Sequence, residues 1–327
     1  MSIKMLDTGI TPAERADYDA LARLWNTVYP DDCYTGDAFY HLDSVHEAPC
    51  RCARFVVKRG SDVVASSSYM QYVGMYHPQK VMVNVFVHPE HRSAGLGGRL
   101  YDDLMAHLRP FDPISLNAQV RETETQALGF ADRRGFRETK RDWQAVLEPS
   151  RFDPAPYRGL EAKLAGEGLR LARLAELERS SDRADLEARF HRLWSELRQD
   201  VPRSEPATPI TFEQFQKLFL NAPDFYREGV FFALCGDDLV GMTMFWQGEG
   251  DDALHTGLTG VRRAYRGRGV ATALKVRALE FARTLGASKV YTDNDTGNEE
   301  MIAVNAKLGF ERQPAWIGLR RVMGEAA

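Results

Sequence analysis

The chain repeats itself once. Residues Val87 to Gly97 align without a gap against Val261 to Ala271, at an offset of 174 residues. The same offset carries Arg92 onto Arg266, Gly95 onto Gly269, and the pair Gly135 and Phe136 onto Gly309 and Phe310. One constant offset over so long a stretch marks a duplicated domain, and the period is far too long for a solenoid. A chain of 327 residues divides comfortably into two domains of ordinary size. Between the copies lies a proline-rich stretch with Pro149, Pro154 and Pro156, followed by mixed sequence up to Gly168. A linker near 150–165 is therefore expected, with domains at 1–152 and 153–327.

Each copy reads as a mixed α/β sheet with helices against it. In the first, Leu21, Leu24, Trp25 and Val28 are spaced for a helix between Tyr18 and Tyr29. Residues 55–65 read as a hairpin turning at Gly60 and Ser61. Val81 to Val87 is a nearly continuous apolar strand. Leu96, Leu100, Leu104 and Leu108 then form the apolar stripe of a helix. A strand near 114–118, a helix from Glu124 to Arg134 and a strand over 136–147 complete the copy. The second copy keeps this order, with strands expected at 230–235, 239–247, 253–261 and 288–294 and helices at 270–285 and 298–308.

The bulk numbers exclude more than they assign. The formal net charge of −4 offers no global attraction to nucleic acid or an anionic membrane. Four cysteines, Cys33, Cys50, Cys52 and Cys235, are too few for a disulfide framework, and Cys50 and Cys52 lack a second pair of metal ligands. No metal is expected. No apolar signal segment follows Met1 and no run approaches a membrane span, so a cytoplasmic protein is expected, of unassigned oligomeric state.

The repeated unit is strand, glycine turn, helix. A helix N-terminus offers unpaired N–H groups and a positive dipole end, and glycine lets the backbone approach a phosphate. A tight turn without a ligand is the plain alternative, weakened because the arrangement occurs twice, each time with an arginine three residues before a glycine. A dinucleotide turn fits less well. Thr272 and Leu100 stand where its last glycine belongs, and five residues separate the strand from Gly267. No nucleotide-triphosphate loop with its glycines and lysine occurs.

Arg92, Gly95 and Gly97, and likewise Arg266, Gly269 and Ala271, resemble the Arg/Gln-x-x-Gly-x-Gly/Ala signature of the GNAT superfamily of N-acetyltransferases. The stretch from Thr292 through Asn298, Met301 and Asn305 to Phe310 resembles the form found in tandem GNAT proteins, similar in organisation to mycothiol synthase. The resemblance implies two tandem GNAT folds, each a mixed, mostly antiparallel sheet with a central splayed parallel strand pair and flanking helices. It implies acetyl-CoA as co-substrate and transfer by direct attack of an amine on the thioester. Pantetheine would pair with the strand backbone at Val85, Phe86 and Val87, or at Thr259, Gly260 and Val261. The pyrophosphate would meet Arg92, Ser93, Ala94, Gly95, Leu96 and Gly97 in one copy. In the other it would meet Arg266, Gly267, Arg268, Gly269, Val270 and Ala271, with Asn294 and Asn298 as further CoA contacts.

The resemblance also implies a base on the strand before the signature. Strict alternation puts His255, Gly257 and Thr259 on one face, whereas Val81, Val83 and Val85 stand at the matching positions of the first copy. An imidazole titrates near working pH, so His255 is the candidate base, with a hydrogen-bonded structural histidine as the alternative. Glu249, Asp251 and Asp252 are acids just before that strand, with Glu249 the further catalytic candidate. The tyrosine the family often uses as an acid is replaced by Ala131 and Asn305. Asn305 suits a hydrogen bond to the CoA sulfur or pantetheine, and proton donation by solvent or by a group such as Tyr291 stays open. Arg262, Arg263, Arg266 and Arg268 suggest pairing with CoA phosphates. Asp200, after a helix at 186–199, suits a cationic acceptor or simply ends the helix. The leading expectation is acetylation of a small-molecule primary amine by the second domain, the first being non-catalytic. A protein N-terminus or lysine as acceptor, or a non-catalytic acyl-CoA sensor, are the alternatives.

Overall fold

The computed structural model describes residues 9–203, 205–248 and 253–324. Its contacts group the chain into two units that are not the two sequence copies. The first runs to Lys140 and takes in the chain from Trp316 onward; the second is Arg141–Ala315.

The first unit contains β1 (Ile10–Pro12), α1 (Tyr18–Val28), α2 (Gly36–Ser44), β2 (Cys52–Arg59), β3 (Asp62–Met70), β4 (Lys80–Val87), α3 (Leu96–Leu108), β5 (Ser115–Arg121), α4 (Thr125–Asp132) and the start of β6 (Arg137–Leu147). The second contains the rest of β6, α5 (Leu160–Gly166), β7 (Leu169–Arg173), α6 (Leu174–Leu177), α7 (Arg183–Leu197), α8 (Phe212–Phe215), β8 (Phe225–Cys235) and β9 (Asp238–Gln247). It continues through β10 (Leu254–Thr256), β11 (Gly260–Val261), α9 (Val270–Thr284), β12 (Val290–Asp295), α10 (Glu299–Leu308) and β13 (Glu311–Arg312). The last strand, β14 (Trp316–Val322), returns to the first unit.

The expected division at 152 follows the repeat; the units divide elsewhere because final strands are exchanged. β14 comes from the second copy yet pairs antiparallel with β5 from Trp316↔Arg121 to Val322↔Ser115. The later part of β6 comes from the first copy yet pairs antiparallel with β12 from Val290↔Leu147 to Asp295↔Asp142. Sequence likeness says which segments are copies; hydrogen bonding and burial decide where each one packs.

Among the described residues, neighbouring strands within each unit pair antiparallel but for one parallel pair. In the first unit β4 and β5 run parallel and pair only from Lys80↔Ser115 to Met82↔Asn117. In the second β10 and β12 run parallel and pair only at Leu254↔Val290 and His255↔Tyr291. Beyond those residues the strands part, which leaves a V open at their C-terminal ends. Helices cover both faces. In the first unit Leu21 and Leu24 of α1 and Phe39 of α2 pack with Val56 and Val63, while Leu96 and Leu100 of α3 pack with Val57 and Val64 on the other face. In the second unit Ala273, Leu274 and Ala278 of α9 pack with Phe231, Val240 and Phe245, together with Leu308 and Phe310. On the opposite face Phe190 of α7 meets Phe215 and Phe232 edge-on. Each fully buried large apolar side chain of this kind contributes about 1.5–3 kcal/mol. Among the described residues no helix is long and apolar enough to cross a membrane.

Candidate active site

The two glycine turns have the same construction. In the second unit Gly267 and Gly269 have φ of 73° and 90°, left-handed values that disfavour a side chain. Gly269 begins α9, and no side chain caps that end, so the first-turn N–H groups remain available to an anion. In the first unit Ser93 and Gly95 adopt φ of 63° and 81°, and Gly95 begins α3 equally uncapped. Arg266 Nε donates to Val261 O at 2.9 Å, and Arg92 Nε donates to Val87 O at 3.2 Å. That bond ties each signature arginine to the end of its own strand. Gly97 is small for a different reason: a Cβ there would lie 3.3 Å from the Phe130 ring.

The loop arginines do not stand free for phosphates. Arg263 bonds Asp200 at 2.6 Å and Arg266 bonds the other oxygen of the same carboxylate. Arg262 pairs with Glu196 at 2.9 Å and Arg268 with Glu167 at 2.7 Å. The hydrogen bonds from Arg263 and Arg266 hold the Asp200 carboxyl down at about 2. Asp200, expected at an acceptor, pairs with the arginines that lead into the glycine turn. Replacing it with Asn removes a competing anion. Acetyl-CoA should then bind about two- to fivefold tighter, the scale of an exposed ion pair, with the gain fading as salt rises. Calorimetry at two salt concentrations checks this. A raised amine KM with unchanged acetyl-CoA affinity would instead assign the carboxylate to the acceptor.

The strand before the turn departs from strict alternation. His255 lies opposite Trp246 and Thr256 opposite Phe245, but Gly260 lies opposite Met242 and Val261 opposite Gly241. The span from Thr256 to Gly260 is one residue longer than its partner, so a β-bulge interrupts it. The single strand expected over 253–261 is therefore two, β10 and β11. The bulge also overturns the expected grouping. His255 and Gly257 share the face of Trp246 and Met244, toward α7. Thr259 and Val261 face α9, where the Thr259 hydroxyl meets that of Thr243 at 2.7 Å. β4 has no bulge in its pairing with β3. Val85 and Val87 pack against the α3 side, while Phe86 packs toward Trp25 on the α1 side.

His255 stands at the vertex of the second V. Its ring stacks on Tyr291 at 5.0 Å between centroids and 20° between planes. Gly257 beside it leaves no room for a side chain, since a Cβ would lie 2.7 Å from Trp246 Nε1. Asn305, on α10, is 3% exposed, and neither its Nδ2 nor its Oδ1 has a hydrogen-bond partner. Leaving a buried amide unpaired costs about 1–3 kcal/mol, so both atoms are open to a hydrogen-bonding group brought by a ligand. The pantetheine amide and the thioester of acetyl-CoA supply that complement, and the residues present fit it. Asn294 is buried on β12. Asn298 caps α10, its side chain accepting from Met301 N at 3.4 Å. Glu249, Asp251 and Asp252 lie outside the described residues.

The vertex of the first V, at Met82↔Asn117, carries no histidine. Met82 and Asn84 face α1, and Asn84 Nδ2 lies 3.4 Å from Ser68 Oγ. Arg92 pairs with Glu124 at 2.9 Å, joining the loop after β4 to the loop after β5 across the mouth of the V. Trp316 stacks near Trp25 at 6.4 Å, and the Arg121 guanidinium lies 4.6 Å over its ring. Neither the Arg92–Glu124 link nor this stack has a sequence signature, because both depend on which strands become neighbours.

Two splayed sheets, each with an uncapped glycine turn leading from the parting strand into a helix, define an acyl-CoA-dependent transferase. Comparison with known proteins agrees. The family model described as acetyltransferase (GNAT) family matches residues 18–136 and again 188–310. A mycothiol acetyltransferase from Corynebacterium glutamicum is 25% identical over 244 residues, covering 73% of this chain and 74% of that protein. Among solved structures, a tandem GNAT protein from the clavulanic acid biosynthesis pathway superposes with a TM-score of 0.72 at 20% identity, covering 98% of this chain and 100% of that one. A GCN5-related N-acetyltransferase from Sphaerobacter thermophilus gives 0.66 at 18% identity, covering 98% and 96%. The chain belongs to the GNAT acetyltransferase family, in tandem form, with acetyl-CoA as its co-substrate.

Proposed function

We propose that the second unit acetylates a primary amine of a small molecule and that the first does no chemistry. The observation that carries this reading is the position of His255. It occupies the vertex of the splay on the α7 face, opposite the helix that the phosphate turn begins. Donor and acceptor then approach from opposite faces, and the imidazole is placed to take the proton of the attacking nitrogen. The curated relative, named a mycothiol acetyltransferase, and the neighbour from the clavulanic acid pathway favour a small acceptor over a protein. In the first unit the Arg92–Glu124 ion pair and the absence of a vertex histidine favour a silent site.

The test is thiol release from acetyl-CoA with a panel of small primary amines, in wild type and two variants. Gly269→Glu places a carboxylate and a strained left-handed residue on the turn, and should abolish turnover and binding in that unit. Gly95→Glu, equally strained, should leave turnover within about twofold, the change expected of a site outside the chemistry. Loss of activity in a folded Gly95→Glu protein would move the chemistry to the first unit. Acetylation of peptides but of no small amine would replace the acceptor class.

A further inference from the structure

α9 turns a charged side chain inward. Lys275 is 3% exposed. It lines a cavity of about 10 Å³ together with Thr243, Thr256, Val290 and Phe310, room for about one water. Thr256 directly follows His255, and Val290 is the register partner of Leu254. The cavity thus lies under the vertex of the splay, on the α9 face. No carboxylate lines it, and Lys275 Nζ sits 5.3 Å from the centre of the Phe310 ring. Thr243 is already engaged with Thr259. Asn305, with its two orphaned polar atoms, lies five residues before Phe310 on the helix that covers the same face.

An unpaired ammonium is costly to bury, and burial pushes this amine down to about 7, where it gives and takes protons readily. The first unit has nothing equivalent. At the same offset stands Tyr101, whose hydroxyl is held by Arg321 at 2.6 Å. Tyr291 is the other candidate donor near the vertex, but its ring stacks on His255 on the acceptor face. Lys275 lies on the opposite face, on the helix that the glycine turn begins.

We propose that Lys275 protonates the CoA sulfur as it leaves. This rests on the acetyl-CoA reading of the same cleft. The acceptor nitrogen forms a bond to the acyl carbon and the carbon–sulfur bond breaks with its electron pair on sulfur. The Lys275 ammonium gives that sulfur a proton. The proton lost by the nitrogen goes to the base on the other face, and solvent restores the ammonium. Nothing is oxidised or reduced.

The test needs no acceptor. CoA is bound to the full-length protein and its thiolate absorbance followed from neutral to alkaline pH, in wild type, Lys275→Met and Lys275→Gln. Desulfo-CoA binding to each protein, measured by calorimetry, reports the integrity of the site. If Lys275 exchanges a proton with the sulfur, the bound thiol should ionise about one unit or more lower in wild type than in either variant, while desulfo-CoA binds all three alike. Equal thiol titration in wild type and variants overturns the proposal, as does loss of desulfo-CoA binding in both variants, which makes Lys275 a support for the cleft. If wild type binds neither CoA nor desulfo-CoA, the acetyl-CoA reading itself has failed.

Discussion

A chain ending at Ala315 should lose the first unit while keeping the second. The deletion removes only the last strand of the second sequence copy, yet β14 is an integral strand of the first unit's sheet. It pairs with β5 through seven registered positions. It also buries Ile317 and Leu319, at 2% and 6% exposure, and supplies Trp316 to the cluster of Trp25 and Tyr29. Two such side chains alone are worth about 3–6 kcal/mol, against a domain stability of about 5–15 kcal/mol. The hydrogen bonds of β5 would be exposed as well. Hydrogen exchange by mass spectrometry should show protection lost across β2 to β5 and kept in β8, β9 and α9. Full protection of β5 in the truncated chain would mean that the first copy can close its sheet with its own β6. Cleavage within 150–165 is a weaker test, because both pieces can stay associated after the cut.

His255→Ala should lower kcat by about 10²–10⁴, the usual loss for a general base. Acetyl-CoA affinity should hardly move. The ring stacks on Tyr291 and lies opposite Trp246 on the α7 face, whereas the glycine turn and Asn305 lie on the α9 side. A split of that kind, kcat falling with the acetyl-CoA dissociation constant steady, separates a base from a packing histidine, whose loss would disturb both. His255→Gln keeps much of the volume without the proton chemistry and should be as slow as the alanine variant. Should either variant turn over normally, the base lies elsewhere, and Glu249, Asp251 and Asp252 become the groups to replace.

Much of this was legible in the residues. The offset of 174 located both turns, both helices behind them and the Gly135 and Gly309 helix stops, whose φ values are 80° and 93°. Helix periodicity and glycine position report local geometry, and local geometry is what a duplicated sequence preserves. The bulge was not legible, because counting by twos assumes an unbroken strand; it grouped His255 and Gly257 with Thr259 and Val261, whose face they do not share. The exchange of β6 and β14 was not legible either, since identical patterns pair equally well with either sheet. Asp200 drew attention as an acid after a helix, but its partners Arg263 and Arg266 are more than sixty residues away and only the fold joins them. Lys275 had a faint signal: a lysine with Ala271, Ala278 and Leu279 on its side of the helix.

The extra residue near Leu258 is a difference of a single codon. Between two otherwise matching strands it reverses which side of the sheet every preceding side chain addresses. Val81, matched to His255 by offset, is buried on the α3 side; His255 is turned to the α7 face, where its ring stacks on Tyr291. No replacement at position 81 changes the direction in which its Cβ points; the first-unit residue at the vertex that already faces α1 is Met82, paired with Asn117. Insertion and deletion in this strand are thus the mutations that move a given side chain from one face of the sheet to the other, and transferring the extra residue between β10 and β11 into β4 is the smallest edit that should exchange those faces.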